Sequence, residues 1–377
     1  MSEFNHSKQV TPILKDIMNV LEQFAPLYLA ESWDNVGLMV GSKHKTVNKV
    51  LCALDLNEEV IEEAIMQEVD CIITHHPFLF KALKRIDLDS TQGAMLEKLI
   101  ANQIAVYSMH TNYDITWGGL NDELAHGLGL QDIKLLETTY EEQLYKCVIY
   151  VPLTHYESVR EAIVNNMTTQ IGDYSGCTFT SGEGEGTFIP LEGSNPYIGK
   201  QGIFEKVKEC QVSFMGTNAE IQHILQAVKK VHPYEEVAID VFELKNMKKQ
   251  YGIGRYGRLE KAVSLDEWIQ TVKAYFKIDY LRVTDPTPKM IQTVAICSGA
   301  GSSFIGSAAR VADVYITGDL KFHEGQMAKS LGLVVLDVGH YASEHRALEP
   351  IGRCIEAQFK NCQVLYSKMN GETLWTK

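Results

Sequence analysis

No two of the eight cysteines stand in a CxxC arrangement, which removes the usual framework of a thiolate zinc site. Cys52, Cys71, Cys147, Cys177, Cys210, Cys297, Cys354 and Cys362 are scattered, several of them inside apolar runs such as VLCALDL and VAICSG. They read as buried free thiols of a reducing compartment rather than as disulfides. Basic charge is also in short supply. The 35 Lys and Arg against 48 Asp and Glu leave a net charge of −13. An acidic surface disfavours loose binding to nucleic acid or to an anionic membrane, and no DNA-binding motif is present, so neither is an expected partner. No stretch approaches the roughly 18 apolar residues of a membrane helix. The opening MSEFNHSKQVTPILKDIMNVLEQFAP is polar and then amphipathic, without the apolar centre of a signal peptide. A cytoplasmic location is the expectation.

What is present is a long α/β pattern. At 377 residues the chain exceeds the usual size of one hydrophobic core, so more than one domain is expected. Thr11 to Phe24 has helical spacing, and the Asn-, Asp- and Gly-rich loop ESWDNVGLMVGS follows. VLCALDL reads as a strand and NEEVIEEAIMQEV as a helix capped by Asn57. CIITHH is a second strand, residues 91–102 a helix, IAVYSMH a third strand and 118–128 a helix. The last third repeats the alternation through TVAICSG, DVYITGD, LVVLDVGH and CQVLYSK. Such alternation implies mostly parallel sheets covered on both faces, and the two segments could be halves of one core.

Between them the texture changes. YKCVIYVP, HYESVREAIVNNMT, CTFTSGEGEGTFIP, VKECQVSFMG, AEIQHILQAVKKV and VAIDVFEL read in turn as a strand, a helix, two strands joined by a Gly-rich hairpin, a further strand, a helix and a strand. That order fits a small ferredoxin-like α+β domain inserted into the core. The expected division is a core over 1–129, an insert over 130–255 and the rest of the core over 256–377.

The chemistry-bearing residues gather at strand ends, where open α/β sheets bind ligands. His75 and His76 follow the strand CIIT. Adjacent side chains on an extended chain point in opposite directions, so the two suit two neighbouring ions better than one. His110 and Asp114 follow the next strand in SMHTNYD. His340 ends LVVLDVGH, and Glu344 falls one helical turn later if YASEHRA begins a helix. Imidazoles and carboxylates without thiolates suit Zn²⁺, Fe²⁺ or Mn²⁺, and a carboxylate can bridge two ions. His110 is the candidate catalytic residue, orienting a water or carrying its proton; alternatively it braces Asp114 through a hydrogen bond.

On these residues the chain resembles the Nif-three-like proteins, the GTP cyclohydrolase 1 type 2 family. WDNVGLMVG (33–41), ITHHPFLF (73–80), HTNYD (110–114), SGAGSSFIGSAARVADVYITGDLKFHE (298–324) and DVGHYASE (337–344) carry the resemblance. It implies a duplicated α/β core with a dinuclear metal centre in a cleft. The implied ligands are His75, His76, Asp114, His340 and Glu344, with Glu344 as the bridge. Two divalent ions per subunit are thus expected, Zn²⁺ first and Fe²⁺ or Mn²⁺ as alternatives. Tyr341 departs from relatives that carry a second histidine there. VHPYEEVAIDVFEL (231–244) is similar to the closing helix and strand of PII-like and CutA-like trimerisation domains. A homohexamer with trimer contacts through the insert is the implied assembly.

The expected function is a metal-dependent hydrolase acting on a nucleotide or related phosphorylated small molecule. The alternative is a non-catalytic metal-binding regulatory or scaffold protein whose insert senses a ligand. Four other motifs read more plainly. SGEGEG (181–186) is a hairpin tip, GIGRYG (252–257) the chain's return to the core, and SGAGSS (298–303) a tight turn rather than an anion cradle. HisProTyrGluGlu (232–236) suits a further metal site or a packed turn. Asp34 and Asn35 line the cleft or form a turn, and His323, four residues after Asp319, reads as a solvated helix histidine.

Overall fold

The leading amphipathic segment folds as the helix Leu14–Phe24 and buries Leu14, Ile17 and Leu21, one stripe at i, i+3 and i+7. It starts three residues later than the spacing suggests. The next helix, Glu58–Met66, begins where expected, with the Asn57 side chain accepting a hydrogen bond from the Val60 amide at 2.8 Å. The computed structural model describes residues 11–287, 289–369 and 371–372. The chain divides into two compact units, one running up to Tyr140 and again from Tyr251, the other spanning Glu141–Gln250.

The first unit holds two sheets. One has the order Gly37–Val40, Ala105–Ser108, Cys71–Thr74, Lys49–Ala53, Gln363–Tyr366. Its last four strands are parallel, and Gly37–Val40 is an antiparallel edge. In the other sheet Met290–Ile296, Val314–Thr317 and Val334–Asp337 are parallel, with Arg282–Val283 antiparallel at one edge and Arg255–Ser264 antiparallel beside Met290–Ile296. CIIT, AVYS, VYIT and VVLD are buried at every position. Unbroken apolar runs are what a parallel sheet covered on both faces requires. Leu14 and Leu21 share one core with Ile73 and Tyr107 of the first sheet and Ile296, Ile316 and Leu336 of the second. The closing segment Gln363–Tyr366 does not extend the second sheet. It pairs in parallel with Lys49–Ala53 and completes the first.

GIGRYG lies inside a long strand, Ile239–Ser264, on which the chain passes from the second unit back to the first. Its glycines answer a close approach: a Cβ at Gly252 would sit 2.0 Å from the Glu137 carbonyl oxygen. Between them Arg255 is fully buried, its guanidinium 2.9 and 2.7 Å from the two carboxylate oxygens of Asp122. Its remaining N–H groups reach the carbonyls of Gly252, Gly254 and Thr116.

In the second unit Leu144–Pro152 pairs antiparallel with Glu205–Thr217, and the helices Tyr156–Val164 and Asn218–Val231 cover that sheet with Val159, Ile163, Ile221, Ile224 and Val228. The expected hairpin at SGEGEG is absent. Thr178–Thr180 and Gly184–Phe188 both pair with the same strand, Glu205–Thr217, one after the other in the same direction. Residues 181–183 interrupt that edge without reversing it. Ser181 keeps the register by donating its amide to the Gln211 carbonyl and accepting the Gln211 amide on its hydroxyl, 2.9 Å each. Glycine spacing alone does not separate a reversal from a break in a continuing edge.

Candidate metal centre

Each imidazole of the site is polarised by a partner on one nitrogen and left open on the other. His75 follows Cys71–Thr74, is fully buried, and donates Nδ1–H to the Met109 carbonyl at 2.8 Å. His76 donates Nδ1–H to Asp55 at 2.7 Å. His110 donates Nδ1–H to Asp34 at 2.8 Å, and His340 donates to Asp319 at 2.8 Å. All four Nδ1 partners are acceptors, so each Nδ1 carries a proton and, once the ring is neutral, Nε2 presents a lone pair, the form in which histidine binds metals. The rings are neighbours: His75–His76 5.2 Å, His75–His110 5.2 Å, His76–His110 5.5 Å and His76–His340 5.4 Å between centroids.

The open nitrogens meet carboxylates. His75 Nε2 lies 3.8 Å from Asp114 Oδ1 and 3.8 Å from Glu344 Oε1. His76 Nε2 and His340 Nε2 each lie 2.9 Å from Glu344 Oε2 and 3.4 Å from one another. Asp114 and Glu344 are buried. His75 Nε2 is buried and, at 3.8 Å from both carboxylates, has no hydrogen-bond partner. Short approaches between lone pairs are repulsive unless a cation stands among them, either a second ring proton or a metal ion. Among the described residues, two groups have donor atoms close enough together to hold an ion: His75, His76 and His110, and His76, His340 and Glu344.

The electrostatics of the bare site follow. Burial opposes the charge on His76, but hydrogen bonds to Asp55 and Glu344 outweigh it and push its pKa up to about 10. The hydrogen bond to Glu344, helped by Asp319, lifts His340 to about 9 against the cost of burial. Burial also works against the Glu344 charge, yet His340, His75 and His76 hold its pKa well below the ordinary value. Burial dominates at Asp114 and raises it. Asp34, buried but bound by His110 and Thr111, falls to about 2. A metal ion entering the site therefore displaces protons from His76 and His340.

His75, His76, His110, Asp114, His340 and Glu344 are all brought together. HTNYD is not the tail of a strand: the strand ends at Ser108, and His110 precedes the short helix Thr111–Ile115 that carries Asp114. The alternative of a side-chain link from His110 to Asp114 gives way to a link to Asp34, which also accepts from the Thr111 hydroxyl at 2.5 Å. Asp114 takes a hydrogen bond from the Ser298 hydroxyl at 3.3 Å instead. His323 is exposed and pairs with Gln326 within its own helix. His232 spends both ring nitrogens locally, on the Tyr150 carbonyl and the Tyr234 amide. Asp55 escaped sequence reasoning, and so did Asp319 as the partner of His340. Asp55 stands just past the strand Lys49–Ala53. The rule that ligands gather beyond the carboxyl ends of parallel strands would have drawn attention to it.

SGAGSS is a turn in which the amides of Ser298, Gly299 and Gly301 are occupied. Ser298 N–H donates to Asn121, Gly299 N–H to Ser343 and Gly301 N–H to Thr317. Gly299 has φ +61, and a Cβ there would meet Glu344 Oε1 at 2.2 Å. Gly299→Ala is expected to displace the Glu344 carboxylate and to lower bound metal at least tenfold at limiting metal concentration. Retention of wild-type metal content, measured by elemental analysis, would show that the loop does not position Glu344.

The fold and the donor set define an α/β protein with histidine and glutamate groups that could hold a metal ion. The chain belongs to the Duf34/NIF3 (NGG1p interacting factor 3) family, matched over residues 12–372. A GTP cyclohydrolase 1 type 2 homolog of Bacillus subtilis (strain 168) is 40% identical over 331 residues, 88% of each chain. One from Listeria innocua serovar 6a is 42% identical over 323 residues, covering 85% of this chain and 86% of that one. Among solved structures, a Bacillus cereus protein related to NIF3 has 36% identity and a TM-score of 0.88, covering 98% of this chain and 100% of that one. Staphylococcus aureus protein SA1388 has 28% identity and a TM-score of 0.71, covering 97% and 99%. Among the described residues no helix is long and apolar enough to cross a membrane.

Proposed function

We propose that the protein is a metal-dependent hydrolase that acts on a nucleotide or related phosphorylated small molecule. One observation carries the reading: four imidazoles with Nδ1 committed to acceptors turn Nε2 toward a centre shared with two buried carboxylates. The residues fit two divalent ions, Zn²⁺ by preference. Glu344 would serve both through its two oxygens, with His75 and Asp114 on the Oε1 side and His76 and His340 on the Oε2 side. Bound there, such ions would lower the pKa of a water and polarise the oxygen of the bond to be broken. The relatives' name, GTP cyclohydrolase 1 type 2 homolog, supports a nucleotide as substrate class.

The side chains have separable tasks. Asp55 and Asp319 hold the His76 and His340 rings in one orientation, and the Met109 carbonyl does so for His75. His110 is oriented the same way by Asp34, and its Nε2 is free to accept a proton from the attacking water and return it to the leaving group. The metal-loaded protein is expected to hydrolyse a member of a panel of nucleotides, phosphoesters and cyclic amides, and the chelator-treated protein none. His110→Ala is expected to keep its metal and lose at least a hundredfold in turnover. A loss of metal in that variant would make His110 a ligand rather than a proton carrier. A fully loaded wild-type protein inert on the whole panel would favour a regulatory or scaffold role.

A further inference from the structure

We infer that Trp33 and Phe80 form a stacking shelf for the aromatic ring of the ligand, and that Lys81, Lys84 and Arg85 beside it receive the ligand's anionic group. The inference rests on the nucleotide reading of the metal centre and specifies the surface that would select such a molecule.

Trp33 is 57% exposed and Phe80 47% exposed, a high exposure for two large rings that touch each other. Their centroids are 5.9 Å apart with the planes tilted by 49°. That spacing leaves no room for a third ring between them, so a planar ligand would lie on their outer face. The pair adjoins the centre. The Trp33 ring stands 6.0 Å from His110, which is 5.2 and 5.5 Å from His75 and His76. Two separate segments build the shelf, and they are tied together where they meet: the Asn35 side-chain amide donates to the Leu79 carbonyl at 2.5 Å. Asp34, next to Trp33, is itself fixed to His110 and Thr111. The aromatic surface is thus held in place rather than left on a loose loop.

The segment that continues from Phe80 carries the sign of charge a phosphate needs. In a chain of net charge −13, Lys81, Lys84 and Arg85 directly follow Phe80, all exposed. None of the three has an ion pair or hydrogen bond to another described residue. Asp87 accepts the Asp89 amide on its carboxylate and the Ser90 hydroxyl on its carbonyl, closing the turn before the helix Thr91–Ala101. An exposed π surface, unpaired cations and a metal centre in sequence match the base, the phosphate and the reacting atoms of a nucleoside phosphate.

The test is equilibrium binding by calorimetry to the full, metal-loaded chain. The probes are the four nucleoside 5′-monophosphates, ribose 5-phosphate, which lacks the base, and adenosine, which lacks the phosphate. At least one monophosphate is expected to bind roughly tenfold or more tightly than ribose 5-phosphate. Trp33→Ala and Phe80→Ala should each weaken that monophosphate about tenfold or more and leave ribose 5-phosphate and metal content unchanged. Lys81→Ala with Lys84→Ala and Arg85→Ala should weaken the monophosphate and ribose 5-phosphate alike, flatten the salt dependence and spare adenosine. Trp33→Phe should restore most of the loss in Trp33→Ala. Absence of monophosphate binding at millimolar concentration, or equal binding by wild type and Trp33→Ala, overturns the shelf. So does a change of assembly size in Trp33→Ala, seen by light scattering, without a change in binding. Because the readout is binding, a protein that binds as described but turns nothing over defeats the hydrolase reading alone. Hydrolysis of a non-aromatic phosphoester without the binding pattern defeats the shelf alone.

Discussion

If the protein holds the two ions proposed above, Glu344→Ala is expected to strip it of both. The carboxylate lies between two groups of donors, with Oε1 3.8 Å from His75 Nε2 and Oε2 2.9 Å from both His76 and His340. Removing it deletes one ligand from each side and leaves three imidazoles with no central negative charge. Removal of an outer hydrogen-bond partner already costs roughly 10–100-fold in metal affinity, and loss of a shared ligand should exceed that at both positions. Elemental analysis after dialysis against limiting Zn²⁺ reads the count. The contrast variant is Asp55→Ala, which should weaken only the ion held by His76 and within the 10–100-fold range. If Glu344→Ala kept one full equivalent, Glu344 would belong to one ion and the two-sided arrangement would be wrong.

Arg255→Ala is expected to be the most destabilising single change outside the centre, at roughly 3–5 kcal/mol. The guanidinium is fully buried and makes two contacts to Asp122, both short, together with bonds to backbone carbonyls. Alanine leaves the Asp122 charge nearly buried with no counter-ion and strands those carbonyls. For a unit of this size the loss corresponds to a Tm lower by roughly 10 °C, which differential scanning calorimetry would detect. Replacing the pair together, Arg255→Met with Asp122→Leu, should recover much of that loss because an apolar pair has no desolvation cost to offset. A single variant as stable as the wild type would mean that water reaches Asp122.

The same pair marks where sequence reading stops. Arg255 stands in GIGRYG, which reads only as the chain's return to the core, and Asp122 is more than a hundred residues earlier. The glycines serve packing against Glu137 and Leu136, and the arginine serves a buried ion pair. Likewise SGEGEG has the composition of a hairpin tip but sits on an edge that continues in one direction. In both cases the residue types state what backbone is permitted, and only the neighbouring strand decides which permitted form is used.

The sequence by itself determined the alternation of strands and helices, because periodicity and cap residues are local. It also determined which side chains stand at strand ends, since His75, His76, His110 and His340 each follow an apolar run within a residue or two. What only the tertiary structure decided is the state of those side chains. The ring proton of His110 is placed by Asp34, 76 residues away, and that of His76 by Asp55, 21 residues away. The approach of His76 to His340 closes a gap of 264 residues. Which nitrogen faces the centre, which carboxylate is bare and which cation can sit there depend on such long-range contacts. A local pattern can name the donors, but direction, charge and distance arise when sheets from the two ends of the chain share one core.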